Sequence, residues 1–337
     1  MFTRSRWGIA ALAAAVLVFT GCGATADRAE PGAEGGEATQ QQAITGLRFM
    51  VPNTAGSGYD TTAREAAKVM EQIGVTKGIE VFNLAGAGGT TGLSRTVQEK
   101  GNGKLIMMMG LGVVGAQYTN KSTSTLDQTT PIAKLHEEAG AIMVAKNSKY
   151  TNITDLVNDW KSNPKGIAVG GGSSPGGPDH LFPMQLAQEV GIEPKEVNYI
   201  AYDGGGELLP AVLGGKVAFG ASGYGEFLDQ IEAGEIRVLA TSGPARVDAV
   251  DAPTLKESGI DLVFTNWRGV VAPPEISDAD KQALVGAFTT MHDSQEWKDV
   301  LKEKGWADAF VTGDEFGSYM KEQTTRVEDV LGSLGLA

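Results

Sequence analysis

Residues 47–64 read LRFMVPNTAGSGYDTTAR, and the order of elements that they predict indicates the fold class. It opens with a short, largely apolar run that predicts a buried strand. The small and polar residues that follow, including Gly56 and Gly58, predict a tight turn. A helix is then expected over residues 61–73, where the alanines at 63, 66 and 67 share one stripe with Met70. A strand, a glycine-rich turn and a helix in this order are typical of α/β proteins.

The same alternation of apolar runs and helical segments continues along the chain. The sequence predicts strands at Leu47–Val51, Ile79–Leu84, Leu105–Met109, Ala141–Ala145, Ile167–Val169, Val197–Ala201, Val217–Ala221 and Ile236–Ala240. A further helix is expected over residues 181–190. The C-terminal third differs, because it predicts three helices in near succession, at residues 277–291, 296–304 and 314–334.

Glycines gather at four points where a predicted strand gives way to a helix. These corners are residues 53–60, 85–92, 170–177 and 202–206. Glycine allows a ligand to approach main-chain N–H groups, and a helix N-terminus adds partial positive charge. Such corners could together hold a carboxylate or a phosphate without a basic side chain. Each corner is equally consistent with a turn that only ends a strand.

Several motifs of the chain follow one another in the order and spacing of a known receptor family. They include Val51-Pro52 before Asp60-Thr61-Thr62-Ala63-Arg64, Asn83 before Gly86-Ala87-Gly88-Gly89, Gly172-Ser173-Ser174 before His180-Leu181, and Trp267-Arg268-Gly269. By these motifs the chain resembles the extracytoplasmic solute receptors of tripartite tricarboxylate transporters, also called Bug-type receptors. The resemblance is collinear over nearly the whole chain after the N-terminal segment.

The resemblance implies an α/β fold of the two-lobed periplasmic-binding-protein type, similar to type II. Each lobe would be a mixed sheet flanked by helices, and the chain would cross between the lobes twice. We expect lobe one at residues 46–145 plus 265–337 and lobe two at residues 146–264. In such receptors a small carboxylate lies between the lobes, and the closed form is presented to a membrane permease.

Carried over by position, the resemblance also implies which residues face the ligand. They are Ser57, Gly58, Tyr59, Asp60, Ala87, Gly88, Gly89, Ser173, Ser174 and Asp203. Asp60 could act without touching the ligand, by capping its own helix and fixing the shape of the loop.

Two departures from the family pattern bear on the ligand. Asn53, Thr54 and Ala55 replace the usual aromatic and second proline, and Asp203 stands where a basic or neutral residue is usual. A carboxylate at 203 disfavours an additional negative group on the ligand. An amino acid, a monocarboxylate or a dicarboxylate then fits better than citrate. Asp203 is equally consistent with a solvent-facing turn residue before glycine.

The N-terminal segment predicts export and a lipid anchor. Residues 1–21 combine Arg4 and Arg6 with an apolar run and Gly21, which is signal-peptide architecture. Cys22 is the single cysteine, and it lies where a lipoprotein signal places the residue that is lipidated. Residues 22–45 then predict a disordered tether. The protein is expected outside the cytoplasm, anchored to the cell membrane; an ordinary cleaved signal with a chance cysteine is the alternative.

Composition excludes several partners. With 28 basic and 41 acidic residues the net charge is −13, which disfavours nucleic acid. We expect no metal, because the three histidines have no second ligand at metal spacing. Gly110-Leu111-Gly112-Val113-Val114-Gly115 matches a dinucleotide fingerprint, but an exported protein meets little NAD, and no cofactor is expected.

Three functions remain open on the sequence. The first is a monomeric receptor, not an enzyme, that delivers a small carboxylate to the permease subunits of a tripartite transporter. The second is a ligand sensor that docks on a membrane histidine kinase. The third, less favoured, is an exported hydrolase or lyase that uses Asp60, Asp203 or Glu207 as a base.

Overall fold

The computed structural model describes residues 43–202 and 204–337. The predicted signal peptide, Cys22 and most of the predicted tether lie outside the described residues, and so does Asp203. The first described element is a short strand at Ile44–Thr45, within the last residues of the predicted tether.

The described strands and helices alternate through most of the chain. The strands are β1 (Ile44–Thr45), β2 (Arg48–Val51), β3 (Thr76–Lys77), β4 (Glu80–Asn83), β5 (Leu105–Gly110), β6 (Thr130–Ala145), β7 (Ala168–Gly171), β8 (Asn198–Ala201), β9 (Phe219–Gly223), β10 (Ile236–Thr241), β11 (Thr265–Ala272) and β12 (Ala307–Thr312). The α-helices are α1 (Gly58–Gln72), α2 (Thr90–Gln98), α3 (Leu111–Thr119), α4 (Ile153–Ser162), α5 (Pro178–Glu189), α6 (Gly205–Leu213), α7 (Leu228–Glu232), α8 (Asp278–Asp293), α9 (Gln295–Lys304) and α10 (Gly313–Ser333). Single 3₁₀ turns occur at Ala87–Gly89, Leu126–Gln128, Pro194–Glu196 and Tyr224–Phe227.

The main sheet is mixed. Its strand order is β4-β2-β5-β11-β6-β9-β7-β8, and β10 and β12 also pair with β6. Strand β2 runs parallel to β4 and β5, and β7 runs parallel to β8 and β9. Strands β9, β10, β11 and β12 all run antiparallel to β6. This arrangement agrees with the predicted α/β class with mixed sheets.

Strand β6 is 16 residues long and connects two groups of strands. Its residues up to Ala139 pair with β11 and β12, whereas Gly140 and the residues after it pair with β9 and β10. We call the group of β2, β4, β5, β11 and β12 lobe one, and the group of β7 to β10 lobe two. The partners change between Ala139 and Gly140, a few residues before the predicted end of lobe one at 145, and the predicted lobe boundaries remain a prediction.

Burial of apolar strand residues holds the helices on the sheet. All six residues of β5, including three consecutive methionines, are buried. Phe49 of β2 packs edge-to-face on Phe288 of α8, with 6.4 Å between ring centroids. In lobe two, Trp160 of α4 packs in the same way on Phe219 of β9. At roughly 25 cal/mol per Å² of buried apolar surface, such contacts supply most of the favourable free energy of folding.

Each of the eight strand segments predicted from the sequence overlaps a strand of the structure, and the three C-terminal helices are present as α8, α9 and α10. Helices α1 and α5 begin about three residues earlier than predicted. Strands β11 and β12 were not predicted. In β11 the polar residues Thr265, Asn266 and Arg268 interrupt the apolar run, and β12 is largely accessible along its length.

Candidate ligand-binding cleft

A cleft of about 560 Å³ lies between residues of both lobes. Lobe one contributes the turn and helix start of α1, the turn before α2, residues along α3 and at its end, and two residues of β11. Lobe two contributes the loop after β7, the start of α5 and the turn at Tyr224–Phe227. The lining residues are Asn53, Gly58, Tyr59, Ala87, Gly88, Gly112, Ala116, Thr119, Asn120, Gly172, Ser173, Ser174, Pro175, Gly176, Gly177, Pro178, Asp179, Glu226, Asn266 and Arg268.

The N-terminus of α1 opens into this cleft. Ser57 is the N-cap residue, and its Oγ accepts the Asp60 amide at 3.4 Å. The first amides of a helix have no partner within the helix. Those of Gly58 and Tyr59 have no hydrogen-bond partner among residues 43–202 and 204–337 either, and both residues line the cleft. Two free donors at the positive end of a helix are suited to an anion.

Asp60 lies behind this helix start and does not line the cleft. Only 3% of its surface is exposed. Its carboxylate accepts hydrogen bonds from the Gly56 amide, Arg64 Nε and Asn83 Nδ2, each at 2.9 Å. Burial alone would raise the pKa of Asp60, but these donors outweigh burial, and the pKa lies below its ordinary value. Asp60 therefore fixes the loop that carries Gly58 and Tyr59.

The second predicted corner forms the turn at Ala87–Gly89. Ala87 and Gly88 line the cleft, whereas Gly89 is buried beneath them. Ala87 has a φ of 47°, a left-handed conformation that costs energy in a residue with a side chain. Two donors hold the Ala87 carbonyl in place, Thr90 Oγ1 at 3.0 Å and Asn120 Nδ2 at 3.1 Å. The strained turn is thus braced against the end of α3.

Arg268 of β11 is the cationic residue of the cleft, and it was not among the predicted site residues. Its guanidinium lies 4.8 Å from the ring centroid of Tyr59 and donates to Asn266 Oδ1. Among the described residues it has no carboxylate within 4.0 Å, so it forms no salt bridge there. Asn266 and Arg268 are two apart in a strand and so share one face. The alternation of these two polar residues with buried Trp267 could have indicated a strand with one face toward a site. Strand β11 itself was not predicted.

Tyr59 connects Arg268 with the start of α3. Its hydroxyl accepts the Val113 amide at 3.4 Å. Burial raises the pKa of Tyr59, against the opposing effect of Arg268 and of the amides of Gly112 and Val113. The tyrosine is therefore neutral at physiological pH, and its hydroxyl takes up the Val113 amide in the first turn of α3.

Ser173 and Ser174 lie on the lobe-two side of the cleft, as the resemblance implied. Ser173 Oγ accepts the Asp179 amide at 2.9 Å, and its carbonyl accepts the Tyr199 hydroxyl at 2.6 Å. The Ser173 side chain is thus used in shaping the loop, while Ser174 is exposed to the cleft.

Asp179 and Glu226 also line the lobe-two wall, and neither was predicted. Asp179 Oδ2 accepts the Gly172 amide at 2.9 Å and the Ser222 hydroxyl at 2.6 Å. Burial raises the pKa of Asp179 to about 7, and the charges of Glu226 and Glu138 add to the effect. The signal for Asp179 was its place in the first turn of a helix that follows a glycine corner.

The glycines that resemble a dinucleotide fingerprint have packing roles here. A Cβ on Gly112 would lie 3.0 Å from the Tyr59 hydroxyl, and one on Gly110 or Gly115 would overlap a backbone oxygen, that of Trp267 or of Gly176. Gly115 belongs to α3 in lobe one, and Gly176 belongs to the loop after β7 in lobe two. The two lobes therefore meet backbone to backbone beside the cleft.

The histidines are structural in the described part of the chain. His180 Nδ1 accepts the Gly176 amide at 3.2 Å, and the ring of His136 stacks on Trp306. The described residues hold no group of three or more His, Cys, Asp or Glu side chains arranged to bind a metal ion. In the same residues, no helix combines the length and the apolar character that crossing a bilayer requires.

Comparison with known proteins places this chain in a family. A "UPF0065 protein in gbd 5'region" of Cupriavidus necator is 26% identical, over 86% of this chain and 88% of that protein. MatC of Rhodopseudomonas palustris, solved with bound malate, matches with a TM-score of 0.70 at 21% identity, over 86% of this chain and 99% of that chain. An R. palustris protein solved with adipate matches with a TM-score of 0.72 at 21% identity, over 86% and 97% of the two chains.

These matches confirm the predicted α/β fold of the periplasmic-binding-protein type. The family model described as "Tripartite tricarboxylate transporter family receptor" matches residues 62–336. That range includes the cleft residues from both lobes, except Asn53, Gly58 and Tyr59. On this match the chain belongs to the receptor family of the tripartite tricarboxylate transporters.

Proposed function

We propose that this protein is an extracytoplasmic receptor that captures a small carboxylate between its lobes and delivers it to the permease subunits of a tripartite tricarboxylate transporter. The observation that carries the proposal is the lobe-one wall of the cleft. There the free amides of Gly58 and Tyr59 lie beside Arg268, whose charge has no salt-bridge partner among the described residues. Hydrogen bonds from a guanidinium or a helix start to a carboxylate are among the strong ones in proteins.

The relatives support the class of ligand. Malate and adipate, the molecules present in two of the structurally similar proteins, are small carboxylates. A cleft of about 560 Å³ is of the size that encloses such molecules. Of the residues expected to face the ligand, Gly58, Tyr59, Ala87, Gly88, Ser173 and Ser174 line the cleft. We retain these six as ligand contacts and add Arg268.

Ser57, Asp60 and Gly89 act one layer behind the cleft in this proposal. Ser57 caps α1, Asp60 holds the loop before it, and Gly89 is buried beneath the Ala87–Gly89 turn. Asp203 lies outside the described residues, and its part in selectivity remains a proposal. The lobe boundaries, 46–145 plus 265–337 and 146–264, are proposed with the change of partners inside β6 as the hinge.

A thermal-shift screen tests the proposed function. The purified protein is heated with citrate, dicarboxylates, monocarboxylates, amino acids, aromatic carboxylates and sugars. A ligand at 100 times its Kd adds about 2.7 kcal/mol of stability, which corresponds to roughly 4–5 °C for a folded part of about 290 residues. We expect shifts only with carboxylate-bearing compounds. A shift with sugars alone, or with none of these compounds, would contradict the proposal.

The location of the protein in the cell is proposed from its N-terminal sequence. Residues 1–21 would be removed as a signal peptide, and Cys22 would carry the lipid that holds the protein at the outer side of the cell membrane. Mass spectrometry of the mature N-terminus tests this directly. We expect an acylated Cys22 and, for the variant Cys22→Ser, loss of the protein from the membrane fraction. If Cys22 is unmodified and the protein is absent from the membrane fraction, the proposed lipid anchor is wrong.

The partner and the oligomeric state are part of the same proposal. We expect a monomer that binds permease subunits after closing on its ligand. Light scattering during size-exclusion chromatography checks the monomer, and co-purification with the permease subunits, with and without ligand, checks the partner. Capture of a membrane histidine kinase in place of the permease would favour the sensor alternative.

A further inference from the structure

The two walls of the cleft carry opposite charge. On lobe one, Arg268 lies beside the free amides of Gly58 and Tyr59. On lobe two, Asp179 and Glu226 line the cleft, and no described Lys or Arg lies within 4.0 Å of either carboxylate. A ligand that spans the cleft therefore meets hydrogen-bond donors and a cation at one end and two carboxylates at the other.

Asp179 lines the cleft and has one carboxylate oxygen that accepts no hydrogen bond from the described residues. Its Oδ2 takes both hydrogen bonds, from the Gly172 amide and from Ser222, whereas Oδ1 has no hydrogen-bond partner among the described residues. Glu226 is exposed, and its Oε2 accepts the Gly205 amide at 3.0 Å. Glu138 of β6 lies behind them and accepts the Gly225 amide at 3.2 Å. A second carboxylate on the ligand would add negative charge to this wall.

We propose that the ligand is a zwitterion without net negative charge, a small carboxylate that also bears a protonated amine. Its carboxylate binds Arg268 and the amides of Gly58 and Tyr59, and its ammonium binds Asp179 Oδ1 with Glu226 nearby. This inference rests on the proposed receptor function and narrows its substrate class. The ammonium supplies the donor and the positive charge that the lobe-two wall lacks.

The proposed ligand should also change the number of protons bound by the protein, which can be measured. The groups whose charge or hydroxyl acts on Asp179 are Glu138, Glu226, Ser222 and Tyr199. With the pKa of Asp179 at about 7, a cation at Oδ1 favours the ionised form, so binding releases protons near pH 7. A dicarboxylate favours the protonated form, so its binding takes protons up. Affinity for the zwitterion should accordingly fall as the pH is lowered from 8 to 6.

Calorimetric titration of the purified protein with matched pairs of ligands tests the inference. The pairs are 4-aminobutyrate with succinate, 5-aminovalerate with glutarate, and alanine with propionate, and aspartate is added as an acidic amino acid. We expect the amine-bearing member of the best pair to bind at least about tenfold more tightly. Titration at pH 7 in HEPES and in Tris, whose ionisation enthalpies differ, gives the number of protons released or taken up.

Two variants remove a negative charge from the lobe-two wall and keep the hydrogen bonds that hold the loops in place. Asp179→Asn keeps an oxygen for Gly172 and Ser222, and Glu226→Gln keeps one for Gly205. In each variant we expect the preference for the amine to fall about tenfold or more. Asp229→Asn, on an exposed position of α7 outside the cleft, is the matched control and should change nothing.

The outcomes distinguish this inference from the proposed function. If dicarboxylates bind as tightly as their amine partners, take up no protons and are unaffected by Asp179→Asn and Glu226→Gln, the zwitterion is wrong and the carboxylate receptor stands. Tighter binding of aspartate than of the neutral zwitterions would also overturn it. If no carboxylate of either kind binds, both proposals fail.

Discussion

Arg268 carries the largest share of the anion-binding capacity that we assign to the cleft. A charged hydrogen bond to a carboxylate is worth about 1.5–3 kcal/mol, so Arg268→Gln should weaken binding of every carboxylate ligand by roughly 10- to 100-fold. Titration calorimetry measures the change. Arg268→Lys keeps the charge and should recover part of the affinity.

The control for this variant is Arg95→Gln. Arg95 lies on α2, outside the cleft, and pairs with Glu99 on the surface. Equal losses in Arg95→Gln and Arg268→Gln would point to a general effect of net charge, and the assigned role of Arg268 would then be wrong.

Asp60 acts on stability through the loop before α1. Asp60→Asn places an amide NH₂ among donors, so we expect a loss of about 1–3 kcal/mol in the free energy of unfolding at pH 7. The pKa of Asp60 is lower in the folded protein than in the unfolded chain. Its contribution is therefore present above about pH 4 and lost as the pH falls through the folded pKa.

Urea unfolding at pH 7 and at lower pH checks this prediction, and the gap between variant and wild type should narrow on acidification. Asp248→Asn is the control, because Asp248 is an exposed residue outside the helices and strands. It should change stability by less than about 0.5 kcal/mol. A gap for Asp60→Asn that is constant with pH would show that its carboxylate charge is not what stabilises the loop.

At the scale of elements, the turn at Ala87–Gly89 shapes the cleft through its close contact with α3. Gly88 has a φ of 64°, and a Cβ on it would lie 2.7 Å from the Ala116 Cβ. Gly88→Ala should therefore displace the turn and weaken ligand binding in addition to a backbone cost of about 1–2 kcal/mol. Calorimetry and thermal unfolding together measure the two effects.

Gly191→Ala is the control for Gly88→Ala, because it adds the same backbone strain without a steric overlap. Gly191 has a φ of 80°, and a Cβ on it would have nothing within 4 Å. Its variant should lose similar stability and keep full ligand affinity. If both variants lose affinity alike, the turn at Ala87–Gly89 has no specific role in binding.

The elements also show what could be predicted from the sequence. Runs such as Leu105–Met109 are buried on both faces, so composition alone identified them as strands. Strand β11 was not predicted, because Asn266 and Arg268 interrupt its apolar run. Both of these polar residues line the cleft. Asp179 escaped for a related reason, since its significance depends on Glu226 and Glu138, which are distant in sequence. A cleft made by residues from two lobes is visible only after folding.

At the scale of the whole molecule, capture of a ligand between the lobes requires the lobes to move. Gly115 and Gly176 meet backbone to backbone beside the cleft, and a Cβ on Gly115 would overlap the Gly176 carbonyl oxygen. Because backbone atoms cannot move aside as a side chain can, Gly115→Ala should hold the lobes apart. The apparent affinity for ligand then falls with the fraction of molecules that can still close. It falls about tenfold if one molecule in ten can close.

Small-angle scattering with and without ligand, together with calorimetry, checks this prediction. The control is Gly332→Ala, a glycine of α10 on which a Cβ would have open space. It should close normally and bind with unchanged affinity. Normal closure and affinity in Gly115→Ala would show that the contact between Gly115 and Gly176 does not belong to the ligand-bound state.

The most direct test of the central claim is a crystal structure of the protein with the carboxylate that binds best in the thermal-shift screen. We predict that the ligand lies between the lobes, with its carboxylate on the amides of Gly58 and Tyr59 and on Arg268. A ligand carboxylate bound away from these three residues, or a ligand outside the cleft, would contradict it.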